Sequence, residues 1–296
     1  MDIEKRVDEL FHELVDIRRD LHMHPETSEH EYRTCERICQ YLDSWGIEYV
    51  KGVAKTGIVA IVRGKNGGKT IGARADIDAL PVTELNDLPF KSVNEGVMHA
   101  CGHDIHTTIH LGLLKMLKEM EDELQGNVKV FFQPAEETIG GAKRMIEEGC
   151  LKNPDVDYML CLHLMPNLES GYVELKYGKL NAATNEFSIK VKGKSGHAAY
   201  PEQSVDPVVT SGYIITALQS LVSRNISPLN SVVLTLAQIN GGTKNNVIPG
   251  EVIMSGTLRT LDEETRAFSK NRIKDIVENT AKAYGAIGSV EFDEGY

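Results

Sequence analysis

Met98-His99-Ala100-Cys101-Gly102-His103-Asp104-Ile105-His106 runs from a glycine-punctuated loop into an amphipathic helix predicted over Thr107 to Met120. Polar chemistry at a loop-to-helix junction is where an α/β fold collects its functional groups. Cys101 and His103 lie two positions apart with Asp104 beside them. A thiol and an imidazole at this spacing are borderline-soft donors of the kind zinc, manganese or cobalt accept, and Gly102 lets the backbone turn tightly between them.

Outward from this run, the flanking strands offer further donors. Upstream, strands are predicted over Gly57 to Val62 and Thr70 to Ala75, with Gly64 to Gly68 as a hairpin tip between them. Gly68-Lys69-Thr70 mimics a phosphate loop, but the first glycine of that motif falls on Arg63, so the motif is rejected. Arg74-Ala75-Asp76-Ile77-Asp78-Ala79-Leu80-Pro81 follows. Acids two apart at a strand's carboxyl end can point the same way into a site; a solvated strand end is the plainer reading. Downstream, the strand Asn127 to Phe132 delivers Gln133-Pro134-Ala135-Glu136-Glu137, and Gly140-Gly141 opens a helix running to Glu148. One of two adjacent glutamates can bind a metal while its neighbour takes a proton from water. A further apolar strand, Tyr158 to Leu162, ends in His163.

The N-terminal region reads as two helices. Ile3, Val7, Leu10, Phe11, Leu14, Ile17 and Leu21 recur at helical spacing up to His22-Met23-His24-Pro25, where proline forbids continuation. His22 and His24 could be ligands, but helix-end and loop-packing roles are the preferred reading. The second helix, about Glu29 to Trp45, carries Cys35 and Cys39 on one face, and both are read as core thiols.

Composition bounds the class. The 296 residues are 41% hydrophobic, enough for a real core in one large or two ordinary domains. A formal net charge of −11 argues against a nucleic-acid or anionic-membrane partner. The scattered, odd set of 5 cysteines suggests reduced thiols in the cytoplasm.

From about Ala182 the texture changes. Strand, helix, two strands, helix and strand follow over Phe187–Lys192, Asp206–Val222, Ser231–Ile239, Val252–Arg259, Glu263–Tyr284 and Ser289–Phe292. This βαββαβ order is that of an α+β ferredoxin-like module. Within it, Gly196-His197-Ala198-Ala199-Tyr200-Pro201 offers a loop histidine, and Asn245-Asn246-Val247-Ile248-Pro249, ahead of Arg259, offers an amide and a guanidinium. A plain loop histidine and a surface arginine are the simpler alternatives.

Taken together, these motifs resemble the dinuclear metallo-aminoacylase and carboxypeptidase-G-like peptidases. Within them the chain is similar to the amidohydrolase branch of hippurate hydrolases, indole-acetyl-amino-acid hydrolases and N-acetyl-diaminopimelate deacetylases. The resemblance rests on Arg18-Arg19-Asp20-Leu21-His22 with His24-Pro25-Glu26, on Arg74 to Pro81, on His99 to Asp104, on Gln133 to Glu137, on Gly196 to Pro201 and on Asn246 to Pro249. It implies an α/β catalytic domain with a mixed sheet and flanking helices (1–180, resumed as a stub at 293–296), carrying an inserted lid and dimerisation domain (181–292). It also implies two divalent ions per subunit (Zn²⁺, Mn²⁺ or Co²⁺) held by Cys101, His103, Glu137 and His163. Glu136 becomes the general base toward an activated water, and Asp78 a supporting acid. His197, from the partner of a homodimer, polarises the scissile carbonyl, and Asn246 and Arg259 hold the substrate's carboxylate. The implied reaction is hydrolysis of N-acyl (N-acetyl, benzoyl or similar) amino acids, with the dicarboxylate deacetylase of lysine biosynthesis as an alternative.

Two departures from the family pattern stand out. Asp76 occupies a position where most of the wider family has a histidine ligand, a feature the amidohydrolase branch shares. The chain also reaches Tyr296 just past the lid's last strand, and no histidine follows His197. The expectation is a C-terminally truncated form without the family's last histidine ligand, with exposed apolar surface on the first domain and weakened occupancy of at least one metal position. A catalytically impaired, dimerising fragment is the corresponding second alternative.

Overall fold

Helical spacing of apolar residues produces α1 (Ile3–Met23), which buries Leu10, Ile17, Leu21 and also His22. Asp2 caps it, accepting from the Lys5 amide at 3.2 Å. The second helix, α2 (Tyr32–Ser44), buries Ile38, Leu42 and both Cys35 and Cys39, so the two thiols do belong to the core. The computed structural model describes residues 1–138, 140–293 and 295. Of the expected stub 293–296, positions 294 and 296 lie outside the described residues.

The strands that follow are β1 (Glu48–Val53), β2 (Gly57–Arg63), β3 (Asn66–Asp76), β4 (Gln125–Gln133) and β5 (Tyr158–Cys161). They form one sheet in the order β1-β2-β4-β3-β5. The first pairs, β1 with β2 and β2 with β4, are antiparallel, whereas β3 runs parallel to both β4 and β5. This mixed sheet overturns the hairpin read at Gly64 to Gly68: β4 lies between β2 and β3. The short connection instead crosses the start of β4, where the Gly64 amide donates to the Gly126 carbonyl at 2.9 Å. Only glycine fits that crossing. A Cβ on Gly64 would come within 2.5 Å of the Gly126 and Leu124 carbonyl oxygens, and one on Gly126 (φ +97) within 2.1 Å of the Lys69 carbonyl oxygen. Glycines that look like a turn in sequence here permit a close backbone passage.

Between β3 and β4 the chain makes a crossover through α3 (His103–Glu119). This helix begins four residues before the predicted Thr107. Gly102, at φ 81, bends the chain straight into it, and its first turn is polar, so hydrophobic periodicity did not register it. Leu111 and Leu114 of α3 join Ile17, Leu21, Ile38, Leu42, Val130 and Phe132 in one buried core. After β4, α4 (Gly141–Glu147) leads to β5, an edge strand whose Tyr158, Met159 and Leu160 are exposed.

The chain separates into two compact units, Met1–Tyr172 and Val173–Tyr296. The second contains β6 (Ala183–Lys192), β7 (Gly196–His197), α5 (Pro207–Ser220), β8 (Val232–Gly241), β9 (Val247–Ile248), β10 (Glu251–Thr260), α6 (Glu263–Ala283) and β11 (Ile287–Phe292). Its main sheet is antiparallel with the order β11-β6-β10-β8. Phe187, Ile189 and Val191, alternate residues of β6, pack with Val252, Met254 and Leu258 of β10 against Ile214 and Leu218 of α5 and Ile273 and Val277 of α6. A period of two in the strands and of 3.6 in the helices thus meets in one two-layer core.

Candidate metal centre

The carboxyl ends of the parallel strands bring the donors together. Asp76 is the last residue of β3, His103 the first of α3, Glu136 and Glu137 follow β4, and His163 follows β5. The backbone turns sharply before the glutamates: Ala135 adopts φ 52 and its amide donates to Glu31 Oε1 at 2.8 Å. Among the described residues, ligand-type atoms converge in three overlapping groups, each within 4.8 Å: Cys101, His103 and His163; His103, Glu136 and Glu137; and Asp76, His103 and His106. His103 is common to all of them.

His103 is fixed in one tautomer. Its Nδ1 donates to the Asp78 carbonyl oxygen at 2.9 Å and lies 3.3 Å from Asp78 Oδ1. In the neutral ring its Nε2 therefore bears the lone pair, 3.7 Å from Glu137 Oε1 and 3.4 Å from Asp76 Oδ2. Among the described residues, His103 Nε2 and Glu137 Oε1 are both buried and without a hydrogen-bond partner, as is Asp78 Oδ1. Buried polar atoms left unsatisfied are rare and cost about 1–3 kcal/mol each. Two of these point their lone pairs at one another, an arrangement that a divalent cation relieves. Nitrogen, sulfur and carboxylate oxygen donors suit zinc, manganese or cobalt.

The electrostatics agree with that fit. Burial and the neighbouring Glu137, Glu136 and Asp76 push the Cys101 thiol up to about 12, so a thiolate among these anions requires a cation. Cys101 Sγ lies 3.4 Å from His163 Nε2. Burial opposes ionisation of Asp78, but the His103 ring beside it and hydrogen bonds from the Glu137 amide (3.0 Å) and Ser28 (2.7 Å) outweigh it and hold its carboxyl below the usual range. Asp78 thereby braces His103 and Glu137 at once. Glu136 is different: burial and the Glu137 charge raise its pKa, which suits it to accept a proton.

In the second unit, β7 pairs with β9, so His197 lies opposite Val247 and the Ala198 amide donates to the Asn246 carbonyl oxygen at 3.1 Å. His197 and Asn246 are neighbours and exposed. Arg259 stands on β10, exposed, opposite Thr184 and Val233, and its Nη1 donates to Thr184 Oγ1.

Several polar residues near the centre make contacts that the sequence reading does not contain. Asp76 reads there as an acid aimed at the site, yet its Oδ1 accepts from His106 Nδ1 at 2.6 Å and its Oδ2 pairs with Arg74 at 2.6 Å. Although burial works against it, His106, His103 and Arg74 lower its pKa to about 2. His22 does not merely pack at a helix end: it is buried against Asp104 and Glu84. The signal for His106 was available, since it lies three residues from His103 and so on the same helical face once the helix starts at His103.

A model of the family described as Peptidase family M20/M25/M40 matches residues 72–285. The chain is 42% identical over 283 residues to an N-acetyl-L-cysteine deacetylase of Bacillus subtilis, covering 96% of this chain and 68% of that protein. It is 39% identical over 296 residues to an N-acyl-L-amino acid amidohydrolase of Geobacillus stearothermophilus, covering 100% and 80%. Among solved structures, one from methicillin-resistant Staphylococcus aureus superposes with a TM-score of 0.95 at 38% identity, covering 100% of this chain and 79% of that one. A dinuclear metal-binding peptidase of the M20 family from Bacillus subtilis superposes with a TM-score of 0.83 at 36% identity, covering 96% and 74%. With this fold, this donor cluster and these relatives, the chain belongs to peptidase family M20/M25/M40.

Proposed function

We propose that this chain is a metal-dependent amidohydrolase that cleaves the amide bond of N-acyl amino acids, using two divalent ions. The observation that carries the reading is the convergence of the buried His103 Nε2 and Glu137 Oε1, without a hydrogen-bond partner among the described residues, beside Cys101 and His163. Relatives named for N-acetylcysteine and N-acyl amino acids support the substrate class.

In this reading Cys101, His103, Glu137 and His163 hold the metal. When bound, the ions polarise the scissile carbonyl and bring the pKa of a water toward about 7. Glu136, with its raised affinity for a proton, takes one from the attacking water and returns it to the leaving amine. Asp78 keeps His103 in the tautomer that presents Nε2. The partner subunit's His197 serves as the electrophilic partner of the carbonyl oxygen, and Asn246 and Arg259 bind the carboxylate; the exposure of these polar groups on the second unit supports those roles. A homodimer through the second unit belongs to the same proposal, supported by the edge strand β8, where Val233 and Ile239 are exposed. Among the described residues no helix is long and apolar enough to cross a membrane. Free cysteines throughout the chain support a reducing, cytoplasmic setting.

The test is hydrolysis of N-acetylcysteine, other N-acetyl amino acids and hippurate, with Mn²⁺, Zn²⁺ or Co²⁺ and after chelation, alongside metal content. Metal-restored turnover of at least one of these amides is expected. A protein that binds metal and cleaves none of them would overturn the reading.

A further inference from the structure

His106 is fully buried, and both of its ring nitrogens are committed. Nδ1 donates to Asp76 Oδ1 at 2.6 Å, and Nε2 accepts from the Leu164 backbone amide at 3.0 Å. The anion at one end fixes the tautomer, so the other end can only be an acceptor. Although His106 falls within reach of a ligand cluster with Asp76 and His103, neither nitrogen is free to bind an ion without releasing the Leu164 peptide.

Leu164 is the residue after His163, and it is held at several points. Its amide is bound by His106, its carbonyl oxygen accepts from His163 Nδ1 at 2.7 Å, and its side chain lies where a Cβ on Gly102 would come within 3.0 Å. Because the Leu164 carbonyl occupies His163 Nδ1–H, His163 Nε2 carries the free lone pair and faces Cys101 Sγ. The His163 ring is itself exposed, on the loop beyond an edge strand, and meets the His106 ring edge-on at 4.8 Å between centroids. An exposed side chain has little core packing to aim it, so its direction depends on the hydrogen bonds of the peptide that follows.

We infer that His106, oriented by Asp76, is a positioning residue that pins the Leu164 peptide and so sets the tautomer and aim of His163. The inference rests on the metal-dependent reading above. It adds a residue that governs the metal centre without being a ligand of it.

The test measures Zn²⁺ and Mn²⁺ affinity by chelator competition for wild type, His106→Leu and His106→Gln, together with histidine tautomers from long-range ¹H–¹⁵N correlation in the metal-free protein. Leucine removes the acceptor, whereas glutamine offers a carbonyl oxygen at about the place of Nε2. His106→Leu should lose about 10–100-fold in affinity for one of the two ions, the range typical of residues that orient ligands, and His106→Gln should recover most of it. The expected tautomers are Nδ1–H at His106 and Nδ1–H at His163, with the latter lost in His106→Leu. Unchanged affinity in a folded His106→Leu, or an Nε2–H tautomer at His106 in the wild type, overturns the inference alone. If His106→Leu does not fold, the glutamine variant and the wild-type tautomer decide it. A wild type that binds neither ion overturns the hydrolase reading and this inference with it.

Discussion

His22 donates from Nδ1 to Asp104 Oδ2 at 2.8 Å, in full burial, and so ties the end of α1 to the first turn of the helix that begins at His103. Arg18 adds an ion pair to the same carboxylate oxygen at 2.9 Å, and Glu84 approaches the other face of His22 at 3.3 Å. The polar residues of the N-terminal motif thus reach the metal centre through the backbone of α3.

Removing one partner of a buried charged pair strands the other. His22→Ala should destabilise the protein by about 3 kcal/mol, which in a unit of this size lowers Tm by about 6–12 °C. The bond to Asp104 raises the His22 pKa above 6.5 despite burial. The folded state therefore binds this proton more tightly, so the added stability is present in full below pH 6.5 and is lost as pH rises through the folded pKa. Urea melts in EDTA across this range should show that loss in wild type and not in His22→Ala. Parallel pH curves would exclude the linkage.

Glu136→Gln keeps the shape of the side chain but cannot take a proton. Turnover should fall by about 10²–10⁴-fold. Metal content should stay at the wild-type level. Near-wild-type turnover in this variant would remove Glu136 as the general base.

At pH 8 without metal, Cys101 should react with iodoacetamide more slowly than the exposed Cys161, because its thiol is pushed up to about 12. Peptide mass spectrometry over time reads both sites. Equal rates would mean that the anions around Cys101 do not suppress its thiolate. In the same vein, Cys101→Ala should lower metal stoichiometry, and an unchanged count would sink its role as ligand.

Gly126→Ala places a methyl group 2.1 Å from the Lys69 carbonyl oxygen at a backbone φ of +97. The chain must distort where the β2–β3 connection crosses β4. A loss of about 2 kcal/mol or more is expected, read as a lower urea midpoint with the slope unchanged. A midpoint equal to wild type would show that the crossing is looser than described.

Much of this protein was legible in its sequence because the signals are local. Helical spacing located α1, and the βαββαβ order of the second unit followed from its elements taken in chain order. The candidates Cys101, His103, Glu136, Glu137 and His163 could be singled out because short motifs are read along the chain, and the family resemblance supplied their expected roles. Strand order was not local. Whether Gly64 to Gly68 closes a hairpin or crosses the start of β4 depends on which strand buries its faces against which, and β4 arrives some sixty residues later. The same holds for the residues that hold the donors in place. His106 is a ligand-like histidine in sequence, and only the meeting of β3, α3 and the loop after β5 shows both its nitrogens occupied. The sequence alone determined the donor chemistry, because residue type sets what an atom can bind. Tertiary structure alone decided tautomer, burial and aim, because these depend on neighbours brought from distant parts of the chain.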